Sequence, residues 1–207
     1  MKITFPHMGN LYIVAKPLFE ELGFEVVIPA LNNRKTLEIG KEYSPEFICM
    51  PFKLNIGNFI QAIKMGADTI VMFGGCGPCR FGYYGALQNE ILKDAGFDVQ
   101  MIIIEPPYYG IEKFLSEAGK FFAKKNLIGI LPKIYSLAKM VDKIEKRVHF
   151  LRPREMVKGS VDKIYSRFKS EALKTEGIDQ MKKLLDTTDV LLDNVYVVDE
   201  NIKKIEL

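Results

Sequence analysis

Three cysteines are the residues of this chain with the clearest capacity for chemistry. Cys76 and Cys79 stand in Thr69–Tyr84 (TIVMFGGCGPCRFGYY), where an apolar run leads through two glycines into Cys-Gly-Pro-Cys and then into a helical pattern. Cys49 lies in Phe47–Lys53 (FICMPFK), just before another helical pattern. An odd number of cysteines with a C-x-x-C spacing, in a reducing compartment, indicates metal or redox chemistry more than a disulfide framework.

Short apolar stretches alternate with helical patterns in the first half of the chain, as buried parallel strands and their crossover helices do. The predicted strands are Ile3–Phe5, Phe24–Ile28, Thr69–Phe73 and Val99–Ile104. The predicted helices are Asn10–Leu22, Asn55–Met65 and Phe81–Ala95. The pattern predicts an α/β fold with a doubly wound, mostly parallel sheet of four or five strands, of the Rossmann or flavodoxin type.

The second half of the chain is predicted to be a helical layer. Beyond two consecutive prolines, the helical stretches are Ile111–Ala123, Leu131–Val148 and Asp162–Leu185, and a short strand is expected at Val195–Val198. We therefore predict an α/β domain over residues 1–108 and a helical subdomain over residues 109–207 that packs on it. Apolar residues from Ile130 to Val148 recur at coiled-coil-like spacing, for which packing on the chain's own core is favoured over a dimer seam.

The elements place the three cysteines at one edge of the sheet. Cys76 and Cys79 follow a strand, and the carboxyl edge of a parallel sheet is where ligands bind in open α/β folds. A crossover helix runs antiparallel to its strands, so the helix after Cys49 begins at the same edge. Cys79 lies near a helix N-terminus, where the dipole favours a thiolate. A buried cysteine is often only a small core hydrophobe, and this is the competing interpretation of Cys49.

Five other residues are weaker candidates for the same pocket or for contacts with the cysteines. His7 ends the first strand and reaches this edge, although a hydrogen-bonded loop histidine is the more common case. Lys53 closes the Cys49 motif, and Arg80, Tyr83 and Tyr84 follow the C-x-x-C directly.

Three sulfur ligands leave several chemistries open. Structural zinc closes with four ligands and would need His7 or an outside group, whereas a cubane cluster can keep one iron open. Cys-Gly-Pro-Cys is also the thioredoxin-type sequence, which makes a dithiol oxidoreductase the alternative, with Cys49 dispensable.

Composition and charge exclude other classes of function. A net charge of +3 with scattered lysines is no nucleic-acid footprint, and no apolar run approaches the roughly 20 residues that span a bilayer. The N-terminus shows no signal segment, so we expect a cytoplasmic protein. Neither a dinucleotide loop nor a P-loop is present, which assigns any ATP chemistry to a partner.

Four motifs carry a resemblance to a known bacterial family. They are Phe5–Asn10 (FPHMGN), Tyr43–Lys53 (YSPEFICMPFK), Gly74–Tyr84 (GGCGPCRFGYY) and, in the helical region, Leu151–Met156 (LRPREM). The chain resembles the acyl-CoA dehydratase activase-related, or CoA-substrate-specific enzyme activase-related, proteins. These are similar in turn to the iron–sulfur subunits of 2-hydroxyacyl-CoA dehydratases and to the double-cubane cluster proteins of anaerobes.

The resemblance implies a cofactor and partners. In the dehydratase subunits three cysteines hold a [4Fe–4S] cluster, and the matching positions here are Cys49, Cys76 and Cys79, which would hold a [4Fe–4S] or larger cluster. The implied partner is an ATP-dependent activase or a dehydratase subunit, with a homodimer as a further candidate. If the chain is itself an enzyme, the resemblance implies a lyase or reductase component. The relatives are longer and add a second α/β domain, so a second domain or a partner would complete the site.

Overall fold

The computed structural model describes residues 1–29, 31–75, 79–105, 119 and 127–198. The strands in this part of the chain are β1 (Lys2–Thr4), β2 (Glu25–Val26), β3 (Thr69–Phe73) and β4 (Gln100–Ile104). The helices are α1 (Leu11–Glu21), α2 (Arg34–Tyr43), α3 (Met50–Lys64), α4 (Phe81–Asp94), α5 (Leu127–Leu151), α6 (Ser160–Ala172) and α7 (Gly177–Asp193). The chain divides into two compact units, one of Met1–Tyr12 with Leu22–Leu127 and one of Ile13–Glu21 with Ile128–Leu207.

The four strands form one parallel sheet in the order β2-β1-β3-β4. Ile3 of β1 lies opposite Val26 on one side and Thr69 on the other, and β3 pairs with β4 along its whole length. The chain winds outward from β1 to β2 and then in the other direction from β3 to β4, which is the doubly wound arrangement. This confirms the predicted α/β fold and the four predicted strand positions.

Some predicted elements are wrong. The helix predicted over Asp162–Leu185 is two helices, because the chain leaves the helical conformation before Gly177, whose φ is +69°. Val195–Val198 is no strand, since Val197 makes only an isolated antiparallel bridge with Glu155. The helix predicted over Ile111–Ala123 lies outside the described residues apart from residue 119, and so does the predicted domain boundary at residue 108.

α2 is a helix that was not predicted from the sequence. Its fully buried residues are Thr36 and Gly40, which are small or polar, while Ile39 and Tyr43 are partly buried and pack against the core. Asn33 caps it by accepting a hydrogen bond from the Thr36 backbone N–H at 3.1 Å. The helix is held by tertiary packing on α3, which is the usual source of stability for a helix of this length.

Two glycines bring the backbones of α2 and α3 into direct contact. A Cβ atom added to Gly40 would lie 1.7 Å from the Lys53 carbonyl oxygen, and one added to Gly57 would lie 2.0 Å from the Thr36 carbonyl oxygen. Both obstacles are backbone atoms, so no change of rotamer could relieve the overlap. The close approach fixes the position of the first turns of α3.

A hydrophobic core cluster of buried side chains in the first unit comes from α3, β3 and α4. The cluster of buried side chains comprises Phe52, Ile56, Phe59, Ile60, Ile70, Met72, Tyr84 and Leu92. Burying a large apolar side chain stabilises the folded state by about 1.5–3 kcal/mol. The aromatic ends of this cluster, Phe52 and Tyr84, lie where α3 and α4 begin.

The second unit is a helical bundle whose core includes the seam of α5. Leu137, Val141, Ile144 and Val148 are buried within the chain itself, together with side chains of α6 and α7 such as Phe168. The seam is therefore part of the chain's own core, as favoured from the sequence. Among the described helices, none is long and apolar enough to cross a membrane.

A buried lysine of α1 holds the turn between α6 and α7. The Lys16 ammonium donates to the carbonyl oxygens of Leu173, at 3.1 Å, and Thr175, and it lies 3.5 Å from a carboxylate oxygen of Glu20. Glu20 in turn accepts from the Gly177 backbone N–H at 2.7 Å. These contacts satisfy polar groups at a helix end and a helix start, where the helices leave them without partners.

Replacing Gly40 with alanine should destabilise the first unit by about 1–3 kcal/mol or more, because the new methyl group overlaps the Lys53 carbonyl. Urea denaturation followed by circular dichroism measures the change. Lys41→Ala, at the exposed neighbouring position, is the matched control and should leave the midpoint nearly unchanged. Equal stability of Gly40→Ala and Lys41→Ala would contradict the close approach.

Replacing Lys16 with methionine should destabilise the second unit by about 1–3 kcal/mol, since the carbonyl groups of Leu173 and Thr175 lose their donor. The same denaturation experiment measures it, with the exposed Lys174→Met as the control. If both variants unfold at the same urea concentration as the original protein, the contact contributes nothing.

Candidate functional site

The strand order places the candidate site at the centre of the sheet edge. β1 and β3 are neighbours, and the direction of winding reverses between them. In doubly wound sheets ligands bind outside the carboxyl ends of the strands at this point. The segment after β1 contains His7, and the segment after β3 leads to the C-x-x-C, of which Cys76 and the next two residues lie outside the described part of the chain.

Cys49 is the N-cap residue of α3. Its backbone is extended, its carbonyl oxygen accepts from the Phe52 N–H at 3.1 Å, and Pro51 lies in the first turn. Proline is favoured there because its φ is already helical. The helix therefore begins at Met50, earlier than the predicted Asn55, and the thiol of Cys49 lies directly at the helix N-terminus. The thiol is free and the residue is exposed, which contradicts the interpretation of Cys49 as a core residue.

The thiol of Cys49 contacts the helix that follows the C-x-x-C. Cys49 Sγ lies 2.5 Å from the Tyr84 hydroxyl oxygen in the first turn of α4. The helices that follow Cys49 and Cys79, although far apart in sequence, thus meet near their N-terminal ends.

Cys79 is exposed, with a free thiol, and precedes Arg80, the N-cap of α4. No group of three or more His, Cys, Asp or Glu residues that could hold a metal ion occurs among the described residues, to which Cys76 does not belong. Two of the three predicted ligands are therefore placed, and both are open to a bound group.

Tyr84 is a buried residue of the site. Only 5% of it is exposed, and its ring packs edge-on against Phe52 at 5.0 Å and against Phe81 at 5.6 Å between centroids. Burial, followed by the hydrogen bond with Cys49 and the negative charges of Cys49 and Cys79, raises the pKa of Tyr84 to about 12, against a smaller opposing effect of Arg80. The phenol therefore keeps its proton at neutral pH.

His7 is the centre of a polar network in the segment after β1. Its backbone N–H donates to Asn58 Oδ1 at 3.0 Å, and its carbonyl oxygen accepts from Asn32 Nδ2 at 3.3 Å. Asn58 also donates to Asn32 Oδ1 at 2.9 Å. The two asparagines tie this segment to α3 and to the segment before α2.

The ring of His7 is buried and held in one tautomer. Nε2 lies 2.7 Å from the Pro29 carbonyl oxygen, which can only accept, so Nε2 carries the proton. Nδ1 is then a lone pair, buried and without a hydrogen-bond partner among the described residues. Burial lowers the pKa of His7, against a smaller opposing effect of the Pro29 hydrogen bond. The neutral ring is thus the form that this environment holds.

The remaining candidates have different surroundings. Lys53 is half-buried and donates to the Glu46 carbonyl oxygen at 2.8 Å, which ties down the segment leading to Cys49. Arg80 is exposed beside Cys79. Tyr83 is 67% exposed, whereas the adjacent Tyr84 is buried.

Asn58 and Asn32 were not predicted as site residues from the sequence. Asn58 is fully buried in a mostly apolar helix, between Gly57 and Phe59. A polar residue in such a run was the available signal, because buried amides must find hydrogen-bond partners. Asn32 lies in a loop and has no comparable signal.

His7→Gln should remove part of the pH dependence of stability, because the pKa of His7 is lowered in the folded state. His7 then binds its proton more tightly in the unfolded chain than in the folded one. Its contribution to folding stability is therefore fully present above the pKa of about 6.5 of the unfolded chain, and it is lost as the pH falls towards the lower pKa of the folded protein. Glutamine can still donate to the Pro29 carbonyl. Urea midpoints measured from pH 8 to pH 5 test this.

The matched control for His7→Gln is the other histidine of the chain, the exposed His149. His149→Gln should retain the pH dependence of the original protein. If His7→Gln retains it as well, the buried neutral ring is not its source.

Comparison with known proteins identifies one stretch of the chain. Residues 6–72 match the family model described as the CoA enzyme activase uncharacterised domain (DUF2229). The match begins in the segment before His7, includes Cys49 and ends within β3, before the C-x-x-C. No curated protein and no solved structure matches the chain. Over residues 6–72 the chain is therefore similar to this CoA enzyme activase-related domain family.

Proposed function

We propose that this chain binds an iron–sulfur cluster through Cys49, Cys76 and Cys79 and serves as an electron-carrying component of a CoA-dependent enzyme system. The observation that carries the proposal is the contact of Cys49 Sγ with Tyr84, in the first turn of the helix that starts beside Cys79. It brings the lone cysteine to the element that follows the C-x-x-C.

The described donor set fits such a cluster. Cys49 and Cys79 are free and exposed, so a bulky group can reach both thiols. Thiolates are the ligands that iron–sulfur clusters use, and the clusters they hold are anionic. The Cys49 thiol lies at the N-terminus of α3, where the helix dipole stabilises negative charge. Arg80 adds a positive charge beside Cys79.

Residues of this chain would hold the segments around the cluster in place. A bound cluster would supply one-electron chemistry and, with three protein ligands, an open iron. Lys53 holds the segment before Cys49, and the His7 network holds the segment after β1. The contact of α2 with α3 keeps the α3 N-terminus at the edge of the sheet.

The family of residues 6–72 supports a partner from the same enzyme system. We propose an ATP-dependent activase as the electron source, or a 2-hydroxyacyl-CoA dehydratase-like subunit that the chain serves. A homodimer that juxtaposes two such sites is a further form of the same proposal.

The test measures iron, acid-labile sulfide and the visible spectrum of protein prepared without oxygen. We expect stoichiometric iron and sulfide and a visible band that dithionite bleaches. Cys49→Ala, Cys76→Ala and Cys79→Ala should each lose most of the iron and sulfide. Met50→Leu, beside Cys49 and exposed, is the control that should retain both.

Other outcomes would replace the proposal. Full iron retention by Cys49→Ala would remove the three-ligand arrangement. Stoichiometric zinc without iron would indicate a zinc-binding module. A metal-free protein that reduces disulfides, with Cys49 dispensable, would indicate a dithiol oxidoreductase at Cys76 and Cys79.

A further inference from the structure

The hydroxyl group of Tyr84 has one hydrogen-bond partner among the described residues, and that partner is a cysteine sulfur. Its oxygen lies 2.5 Å from Cys49 Sγ. Tyrosine hydroxyls that are buried normally find a polar partner, and backbone or carboxylate oxygens are stronger acceptors than sulfur. The site instead pairs the phenol with one of the proposed cluster ligands.

The direction of this hydrogen bond follows from the state of the sulfur. A thiolate or a metal-bound cysteine sulfur carries no proton and can only accept. A phenol carries its proton at neutral pH, so beside such a sulfur the Tyr84 hydroxyl, 2.5 Å away, can only be the donor. Tyr84 thus donates a hydrogen bond to the Cys49 sulfur.

We propose that Tyr84 is a positioning residue whose hydroxyl group donates to the Cys49 sulfur and thereby sets the reduction potential of the cluster. This inference rests on the proposed function. Hydrogen bonds to cluster sulfurs stabilise the reduced, more negative state and so raise the reduction potential.

The surroundings of Tyr84 make the donor fixed and effective. Phe52 and Phe81 pack against its ring, so the hydroxyl cannot swing away from Cys49 without disturbing the core. Burial lowers the local dielectric constant, which strengthens the hydrogen bond electrostatically. Tyr83 is the natural comparison, because it is the adjacent residue and is largely exposed.

The experiment compares the cluster reduction potentials of Tyr84→Phe, Tyr83→Phe and the original protein, after anaerobic reconstitution. Phenylalanine keeps the ring contacts and removes only the donor. For Tyr84→Phe we expect reduction to become less favourable by up to about tenfold, which for one electron is a potential about 59 mV more negative. Tyr83→Phe should be unchanged. An unchanged potential in Tyr84→Phe would overturn the inference.

A second variant covers the case in which Tyr84→Phe fails to hold a cluster. Incorporating 3-fluorotyrosine at position 84 keeps the hydroxyl and makes it a stronger donor, so the potential should become more positive. No change, or a change in the opposite direction, would overturn the inference.

A measurement on metal-free protein separates this inference from the proposed function. The ultraviolet resonance Raman doublet of tyrosine reports the hydrogen bonding of the phenol. The part of the signal that Tyr84→Phe removes belongs to Tyr84, and Cys49→Ala should change that part. If the original protein takes up no iron, the proposed function fails and the role of Tyr84 in setting the potential fails with it. A doublet that depends on Cys49 would still support the hydrogen bond between Tyr84 and Cys49. A doublet that is insensitive to Cys49→Ala overturns the hydrogen bond itself.

Discussion

The direct backbone contact between α2 and α3 is the constraint on which the candidate site depends. Gly40 meets the Lys53 carbonyl and Gly57 meets the Thr36 carbonyl, so the two helices approach as closely as their backbones allow. Lys53 is in the first turn of α3, one turn from Cys49. A wider separation at this point would move the thiol and the aromatic side chain of Phe52, against which Tyr84 packs.

The site joins features that lie far apart in the sequence. The parallel sheet brings the segments after β1 and β3 to one edge, and the crossover through α3 returns Cys49 to the same region. The contact of Cys49 with Tyr84 then links α3 to α4 through a polar pair set among aromatic rings. His7 has a structural role, because its backbone and ring form hydrogen bonds with Asn58, Asn32 and Pro29 that hold the surrounding segments together.

The sequence predicted the strands well and the helices unevenly, for physical reasons. β3 is an uninterrupted apolar run between Asp68 and two glycines, and it was placed to the residue. α2 was missed because its fully buried positions are Thr36 and Gly40, although Ile39 and Tyr43 pack partly on the core. The start of α3 was placed too late because Met50 and Pro51 do not extend its apolar period. α6 and α7 were merged because both are amphipathic and only the backbone conformation near Gly177 separates them.

Local patterns determined what the residue types alone can express: the α/β fold class, the four strands, and the position of Cys49 and Cys79 next to helix starts. Tertiary structure decided what depends on distances between remote segments. Only packing shows that Tyr84 is buried while Tyr83 is exposed, that Tyr84 meets the sulfur of Cys49, and that two asparagines bind the backbone of the buried His7. The reason is that hydrophobic periodicity records which face of an element is buried, whereas a hydrogen bond or a backbone contact between elements leaves almost no trace in the periodicity of either one.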